Sequence, residues 1–242
     1  MSEPEEIVAA ALALVERPRD LAGLSVLVSA GGTREPIDPV RFLGNRSSGR
    51  QGVAIARAAA DRGAIVTLVA AHLDADVRPD PRVEVISVGT ADELGRAMDA
   101  TSPDADVVIM AAAVADYSVA AVSEHKLRKQ DTPGGLTLEL VENRDIVAGL
   151  VAGRRPGQTI VAFAAETVDS QDELLERARA KAARKGVDLL AANAVGWTSG
   201  FETADNALTI IGRDGDVVGQ ASGSKAETAD ALLDAVLAVR SR

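Results

Sequence analysis

A chain of 242 residues, 47% hydrophobic and 26% charged, is long enough for one large α/β domain or two small ones with an ordinary core. A net charge of −10 and a pI near 4.8 exclude the basic surface that non-specific nucleic-acid or anionic-membrane binding needs, while leaving room for a local basic cluster around an anionic substrate. The absence of Cys excludes disulfides, thiolate metal ligands and a Cys nucleophile, and two histidines, His72 and His125, are too few for a His-rich metal site.

The acidic start from Met1 to Glu6 lacks the basic n-region of a signal peptide. No apolar run reaches the ~18 residues of a membrane span, so a cytoplasmic location is expected. Residues 3–16 read as an amphipathic helix that ends before Pro18. A strand over 24–29 then runs into Gly31-Gly32. A polar detour containing Pro36 and Pro39 follows, and Ser47-Ser48-Gly49 opens a helix over 48–62. Strand, glycine turn and helix start together make an anion site, because the first amides of a helix are unpaired and carry partial positive charge. The detour adds a fixed cation, Arg41, and a neutral donor–acceptor, Asn45, just before that site.

Strands follow at 65–70 and 83–87, a helix at 91–100 and a strand at 106–112. Continuous apolar runs such as Val107-Val108-Ile109-Met110 suit a parallel sheet buried on both faces. Further on come a strand at 136–141, a helix at 145–152, a strand at 159–164, a helix at 170–185 and a strand at 187–191. The pattern then changes to a hairpin, with strands 207–211 and 216–218 around Asp214-Gly215 and a last helix over 224–240. The reading is a doubly wound, Rossmann-like, mostly parallel α/β sheet with ligand at the carboxyl ends of its strands. The β-rich stretch 193–222 is an appendage expected at an oligomer interface. The five aromatic residues, Phe42, Tyr117, Phe163, Trp197 and Phe201, fall in expected loops or strand ends, where each either lines a site or plugs the end of the sheet.

Several constellations collect at that edge. Ala111-Ala112-Ala113-Val114-Ala115-Asp116-Tyr117 lets a ligand approach the backbone closely and offers one acceptor; tight packing and a capped turn are the bland alternative. Lys126, Arg128 and Lys129 lie in a long segment between strands, before Pro133-Gly134-Gly135, and read as a lid carrying positive charge onto a polyphosphate. Val141-Glu142-Asn143-Arg144-Asp145-Ile146 is a strand end and a helix cap. Phe163 stands among small residues, with Glu166 as either a metal-phosphate ligand or a cap. Lys181 and Lys185, like charges one helical turn apart, suit an anion between them, though solvated surface lysines are the commoner case. No Gly-Lys-Ser/Thr marks a P-loop. The lone Tyr117 has Ala121 four residues on, so the Tyr-x-x-x-Lys of short-chain dehydrogenases is absent.

Residues 31–38 and 45–49, with Ala112-Ala113-Val114-Ala115-Asp116-Tyr117, Lys126-Leu127-Arg128-Lys129 and Phe163-Ala164-Ala165-Glu166-Thr167, resemble phosphopantothenate–cysteine ligase of coenzyme A biosynthesis. The resemblance covers about 22–240 and keeps the motifs in order. It implies a two-step ligation: the 4'-phosphopantothenate carboxylate attacks the α-phosphate of CTP, and the L-cysteine amine then attacks the acyl-cytidylate and releases CMP. It further implies Mg2+ with CTP, a homodimer, and no flavin in this portion. Residues 1–20 look like the tail of a flavin-dependent phosphopantothenoylcysteine decarboxylase that precedes the ligase domain, 21–242. By resemblance Asn45 holds substrate and intermediate, Lys126 serves the first step, and Arg41 binds the pantothenate phosphate in its own or a neighbouring subunit. Gly32, Ser47, Ser48, Gly49, Asp116, Lys126, Arg144, Asp145, Ile146, Val147, Phe163, Lys181 and Lys185 contact CTP, and Ala112, Ala113 and Asp116 line the pantothenate pocket with Arg41 and Asn45. The metal ligands stay unassigned, Mg2+ being carried mainly by the triphosphate. The chain departs from the family at Gly44, Arg50-Gln51, Arg128, Arg144 and Ala162, and Arg144 in place of proline leaves that turn less fixed.

Overall fold

A computed structural model describes residues 18–131, 133–196 and 205–241. The expected helix at 3–16, Trp197 and Phe201 lie outside the described residues. An eight-stranded sheet in the order β12-β11-β10-β9-β6-β1-β4-β5 forms the centre. Its parallel strands are β1 (Ser25–Ala30), β4 (Ile65–Ala70), β5 (Glu84–Ser87), β6 (Val107–Met110), β9 (Thr159–Glu166) and β10 (Leu189–Ala194). The direction of strand progression reverses between β1 and β6, the place where open α/β sheets take ligands.

Alternation along the strands divides the core in two. Val26, Val28, Ile109, Val161, Leu189 and Ala191 face α1 (Arg50–Asp61) and α5 (Lys225–Arg240). Leu27, Val108, Met110, Ile160, Ala162 and Leu190 face α2 (Ala91–Thr101), α3 (Ile146–Gly153) and α4 (Gln171–Lys185). Both faces of each central strand are buried, which is why these strands read as unbroken apolar runs.

The hairpin strands β11 (Asp205–Gly212) and β12 (Val217–Ser224) continue the main sheet antiparallel to β10 and turn at Gly215, whose φ is +84°. They are longer than the sequence pattern indicates, because their outer halves are polar. The expected strand at 136–141 shrinks to β8 (Leu140–Glu142), which leaves the main sheet and pairs antiparallel with β7 (Tyr117–Val119). Leu136, Leu140 and Val141 are exposed there, so the apolar alternation belongs to a surface ribbon. The detour folds as a second ribbon, β2 (Arg34–Pro36) with β3 (Phe42–Gly44), which no pattern announced. Phe163 lies within β9, not at its end, because that strand runs on to Glu166.

Candidate functional site

The floor of the site is stitched by backbone. Gly31 O accepts from Ala113 N at 2.8 Å, and Thr33 N donates to Ala113 O at 3.1 Å. Gly32 and His72 exchange two hydrogen bonds of 3.3 Å. Two wholly buried hydroxyls complete the seam: Ser29 Oγ accepts from Ala112 N at 3.1 Å and Thr33 Oγ1 from Ala115 N at 2.9 Å. Gly31 has φ +85°, and a Cβ there would lie 2.7 Å from His72 O, so glycine is required on two counts. A Cβ on Gly32 would meet Asn45 O at 2.9 Å, which places Gly32 directly under the loop that carries Asn45 and Ser47.

Four of the five described α-helices have a side-chain N-cap: Thr90 for α2, Asp145 for α3, Ser170 for α4 and Ser224 for α5. The fifth, α1, starts at Gly49 in the left-handed region with no side-chain cap and no acid in its first turn. Its open amides face a cavity of about 1150 Å³. That arrangement of bare N–H groups and macrodipole attracts anions.

The cavity brings together most of the residues singled out from the sequence: Asn45, Ser47, Ser48, Gly49, Ala112, Ala113, Asp116, Arg144, Asp145, Ile146, Val147, Phe163, Lys181 and Lys185. Asn45 Nδ2 donates to Val114 O at 2.9 Å, fixing its carboxamide across the mouth of β6. Asn143 pins the opposite turn: its N donates to Asp116 O at 2.8 Å and its Nδ2 to Ala115 O at 2.9 Å. Lys181 pairs with Glu166 at 2.9 Å, and Lys185 pairs with Asp145. Burial pushes Asp145 up, but Lys185, the Ala148 amide and the Arg184 charge outweigh it and hold the carboxyl below its ordinary value. Each lysine thus has a carboxylate in the position an anion would take. Arg144 turns its charge away from the cavity, pairing with Asp99 at 2.6 Å against Gly95 of α2.

Arg41 and Lys126 are not among the cavity's lining residues. They border a second, shallower hollow with Val40, Leu127, Arg128, Lys129 and Gln130. Its anchor is Asp38, 3% exposed, which accepts from Val40 N at 2.8 Å, Arg41 N at 2.9 Å, Arg41 Nη2 at 2.5 Å and Leu127 N at 3.0 Å. Arg41 Nη2 also donates to Leu127 O at 2.5 Å, so both backbone groups of Leu127 are clamped beside Lys126. Burial raises the Asp38 carboxyl, but the Val40 amide, the Arg41 guanidinium and the Leu127 amide hold it well below the usual carboxylate range.

Sequence reasoning missed Gln51, Arg184, Asn193, Asn206 and Lys225, all of which line the main cavity. Asn193 fell outside a strand read as ending at residue 191; an Asn after four apolar residues, at a strand's carboxyl end, was the available signal. Among the described residues no group of three or more His, Asp or Glu is placed to hold a metal ion, and no helix is long and apolar enough to cross a membrane.

Residues 21–239 match the DNA/pantothenate metabolism flavoprotein C-terminal domain. The chain belongs to this family. It is 48% identical over 246 residues to the coenzyme A biosynthesis bifunctional protein CoaBC of Mycobacterium bovis, covering 98% of this chain and 58% of that protein. With CoaBC of Escherichia coli K12 it is 44% identical over 220 residues, covering 90% and 53%. The chain therefore spans a little over half the length of these relatives. The solved C-terminal domain of a CoaBC protein superposes with a TM-score of 0.75 at 32% identity, covering 93% of this chain and 100% of that one. A Cab2 mutant in complex with phosphopantothenate-cysteine shares the fold, with a TM-score of 0.71 at 18% identity over 98% of this chain and 90% of that one.

Proposed function

We propose that this chain is the ligase portion of a coenzyme A biosynthesis enzyme, joining 4'-phosphopantothenate to L-cysteine through an acyl-cytidylate. One observation carries the reading: in a chain of this family, an uncapped helix N-terminus, Asn45, Asp116 and Phe163 converge where the strand order reverses. CTP lies with its phosphates on the first turn of α1 and its ribose and base towards Phe163, Asp116 and the 144–147 turn. Phosphopantothenate lies against Ala112 and Ala113.

Its carboxylate attacks the α-phosphate; the new P–O bond forms as the bond to the departing pyrophosphate breaks. The cysteine amine then attacks the acyl carbon, CMP leaves, and the amine proton passes to solvent. Two anions must meet in the first step, so positive charge and oriented dipoles are the main catalytic requirement. The α1 amides supply one part. Lys181 and Lys185 supply another from the far side of the cavity, contacting the nucleotide near the 144–147 turn and adding positive potential as they leave Glu166 and Asp145. Lys126 joins when its segment folds from the second hollow over the triphosphate. Asn45, held by Val114 O, binds the acyl phosphate oxygen. Asp116 and Glu142 have no ion-pair partner among the described residues and would hold a Mg2+ that arrives on the triphosphate and offsets its charge, as suits an ion usually bound by few carboxylates plus substrate phosphates. Val40, Phe42, Leu43, Tyr117 and Val141, exposed on the two small ribbons, form the apolar surface a second copy would cover in a homodimer. The flavin-dependent decarboxylase belongs to the remainder of the longer relatives.

Pyrophosphate release that requires both CTP and phosphopantothenate tests the reading. Asn45→Asp should still release pyrophosphate but yield little ligated product, whereas Lys126→Gln should lose pyrophosphate release. Wild-type rates in both variants would overturn these roles; tight NADP binding without CTP binding would overturn the ligase.

A further inference from the structure

Asn193 stands out among the buried carboxamides. Gln158, equally buried at 8% exposure, donates to Ser102 O at 2.6 Å and Ala105 O at 2.8 Å. Asn193 is 8% exposed and lines the main cavity, yet its side chain has no hydrogen-bond partner among the described residues. Alternation along β10 fixes where it points. Leu189 and Ala191 are buried under α1 and α5, and Asn193 continues that face at the strand's carboxyl end. Its register partner on β9 is Ala165, two residues beyond Phe163 on the same face.

The wall opposite is the first turn of α1. Gln51 Oε1 accepts from Asn206 Nδ2 at 3.0 Å, tying the start of β11, the strand beside β10, to that turn. Lys225, the first residue of α5, lines the same wall. An uncapped helix start and a largely buried carboxamide with no partner among the described residues therefore share one side of the cavity, on the face of the sheet opposite Lys181 and Lys185.

We propose that Asn193 is a ligand-contacting residue whose amide N–H donates to the phosphate chain of a nucleoside triphosphate seated on the first turn of α1. The inference rests on the nucleotide reading above and adds a neutral donor that no sequence motif marked. The amide has no protein partner among the described residues and opens to the cavity it lines, so an incoming phosphate oxygen can reach it, and the unpaired amides at the start of α1 are what would bring a phosphate to that side.

Calorimetric titration of the wild type, Asn193→Ala and the near-isosteric Asn193→Asp with CTP, inorganic tripolyphosphate and cytidine tests it. Asn193→Ala should weaken CTP and tripolyphosphate alike by about tenfold, leave cytidine unchanged, and melt no lower than the wild type without ligand. Asn193→Asp keeps the packing and should weaken both anions further, by like-charge repulsion; it carries the test if the alanine variant does not fold. Affinities for both anions within about twofold of wild type in both variants would mean a carboxamide satisfied by water alone and would overturn the proposal. So would a loss confined to cytidine. Failure of the wild type to bind CTP or tripolyphosphate would instead remove the nucleotide reading itself.

Discussion

The two hollows at the carboxyl edge of the sheet are built in opposite ways. The main cavity rests on a floor determined many times over: backbone bonds among Gly31, Gly32, Thr33, His72 and Ala113, reinforced by the buried hydroxyls of Ser29 and Thr33. The second hollow is exposed and cationic, and its two sides are joined through one buried carboxylate, Asp38, and the arginine it holds. In the proposed ligase the difference would separate two tasks: groups that define where a ligand sits are placed by the fold, whereas the cations proposed to close on a polyphosphate are hung from a single clamp. A rigid floor preserves geometry between turnovers; a clamped but exposed segment can close without disturbing it.

The largest test of this contrast is Gly31→Ala. The new Cβ would sit 2.7 Å from His72 O at a φ of +85°, a backbone obstacle and a conformational penalty together. Stability should fall by about 3 kcal/mol in urea unfolding with an unchanged m-value, and nucleotide binding should be lost with it. A loss below about 1 kcal/mol would show that the floor yields and that the comparison is overdrawn.

Asp38→Asn sharpens the other half. Asparagine keeps one acceptor oxygen for the Val40 and Arg41 amides, but an NH2 replaces the oxygen that accepts from the Arg41 guanidinium and Leu127 N, so the ion pair and the bond to Leu127 are both lost. Nucleotide binding to the main cavity should survive, while ligated product should fall by about 100-fold, the scale expected when charged groups are held in the wrong place. The carboxyl is depressed in the folded protein, so its contribution is complete above its ordinary value of 3.8 and is lost as pH falls through the lower folded value. The stability difference between wild type and Asp38→Asn should therefore be flat from about pH 8 to about pH 5 and close only in stronger acid. A difference that varied near neutrality would assign the clamp to some other group.

How much of this was legible beforehand follows from the same contrast. The mostly parallel sheet and the helix start after Ser47-Ser48-Gly49 were readable because each rests on a local signal: unbroken apolar runs, a glycine pair after a strand, a small polar run before a helix; the order of the strands does not, being set by long-range pairing. The cavity then gathered Asn45, Asp116, Phe163, Lys181 and Lys185 because the sheet brings every strand's carboxyl end to one edge. The ribbon of β2 and β3 was not legible, since three-residue strands containing Pro36 or ending at Gly44 carry no periodicity. Nor was the separation of Arg41 and Lys126 from the main cavity, because it depends on Asp38 meeting Leu127, 89 residues away. The ion pairs of Lys181 and Lys185 and the turning of Arg144 onto Asp99 are likewise long-range outcomes.

The smallest expected effect belongs to Gln51→Met, which probes whether the hairpin end of the main cavity shares the rigidity of its floor. Gln51 reaches three groups on β11 and α5: it accepts from Asn206 Nδ2 at 3.0 Å and Thr228 Oγ1 at 3.3 Å and donates to Lys225 O at 3.4 Å. Two of these bonds are long. Thr228 Oγ1 has Ser224 O and Lys225 O as alternative acceptors at 3.2 Å each, and Asn206 borders the open cavity, where water can replace the lost oxygen. Methionine fills nearly the same volume on the first turn of α1 without any hydrogen-bonding group to replace the amide. The cost should stay within about 1 kcal/mol in urea unfolding, with CTP affinity almost unchanged. A larger loss, accompanied by weaker CTP binding, would mean that the hairpin and α5 set the position of the α1 N-terminus. The floor would then extend across the whole cavity instead of ending at the loops after β1 and β6.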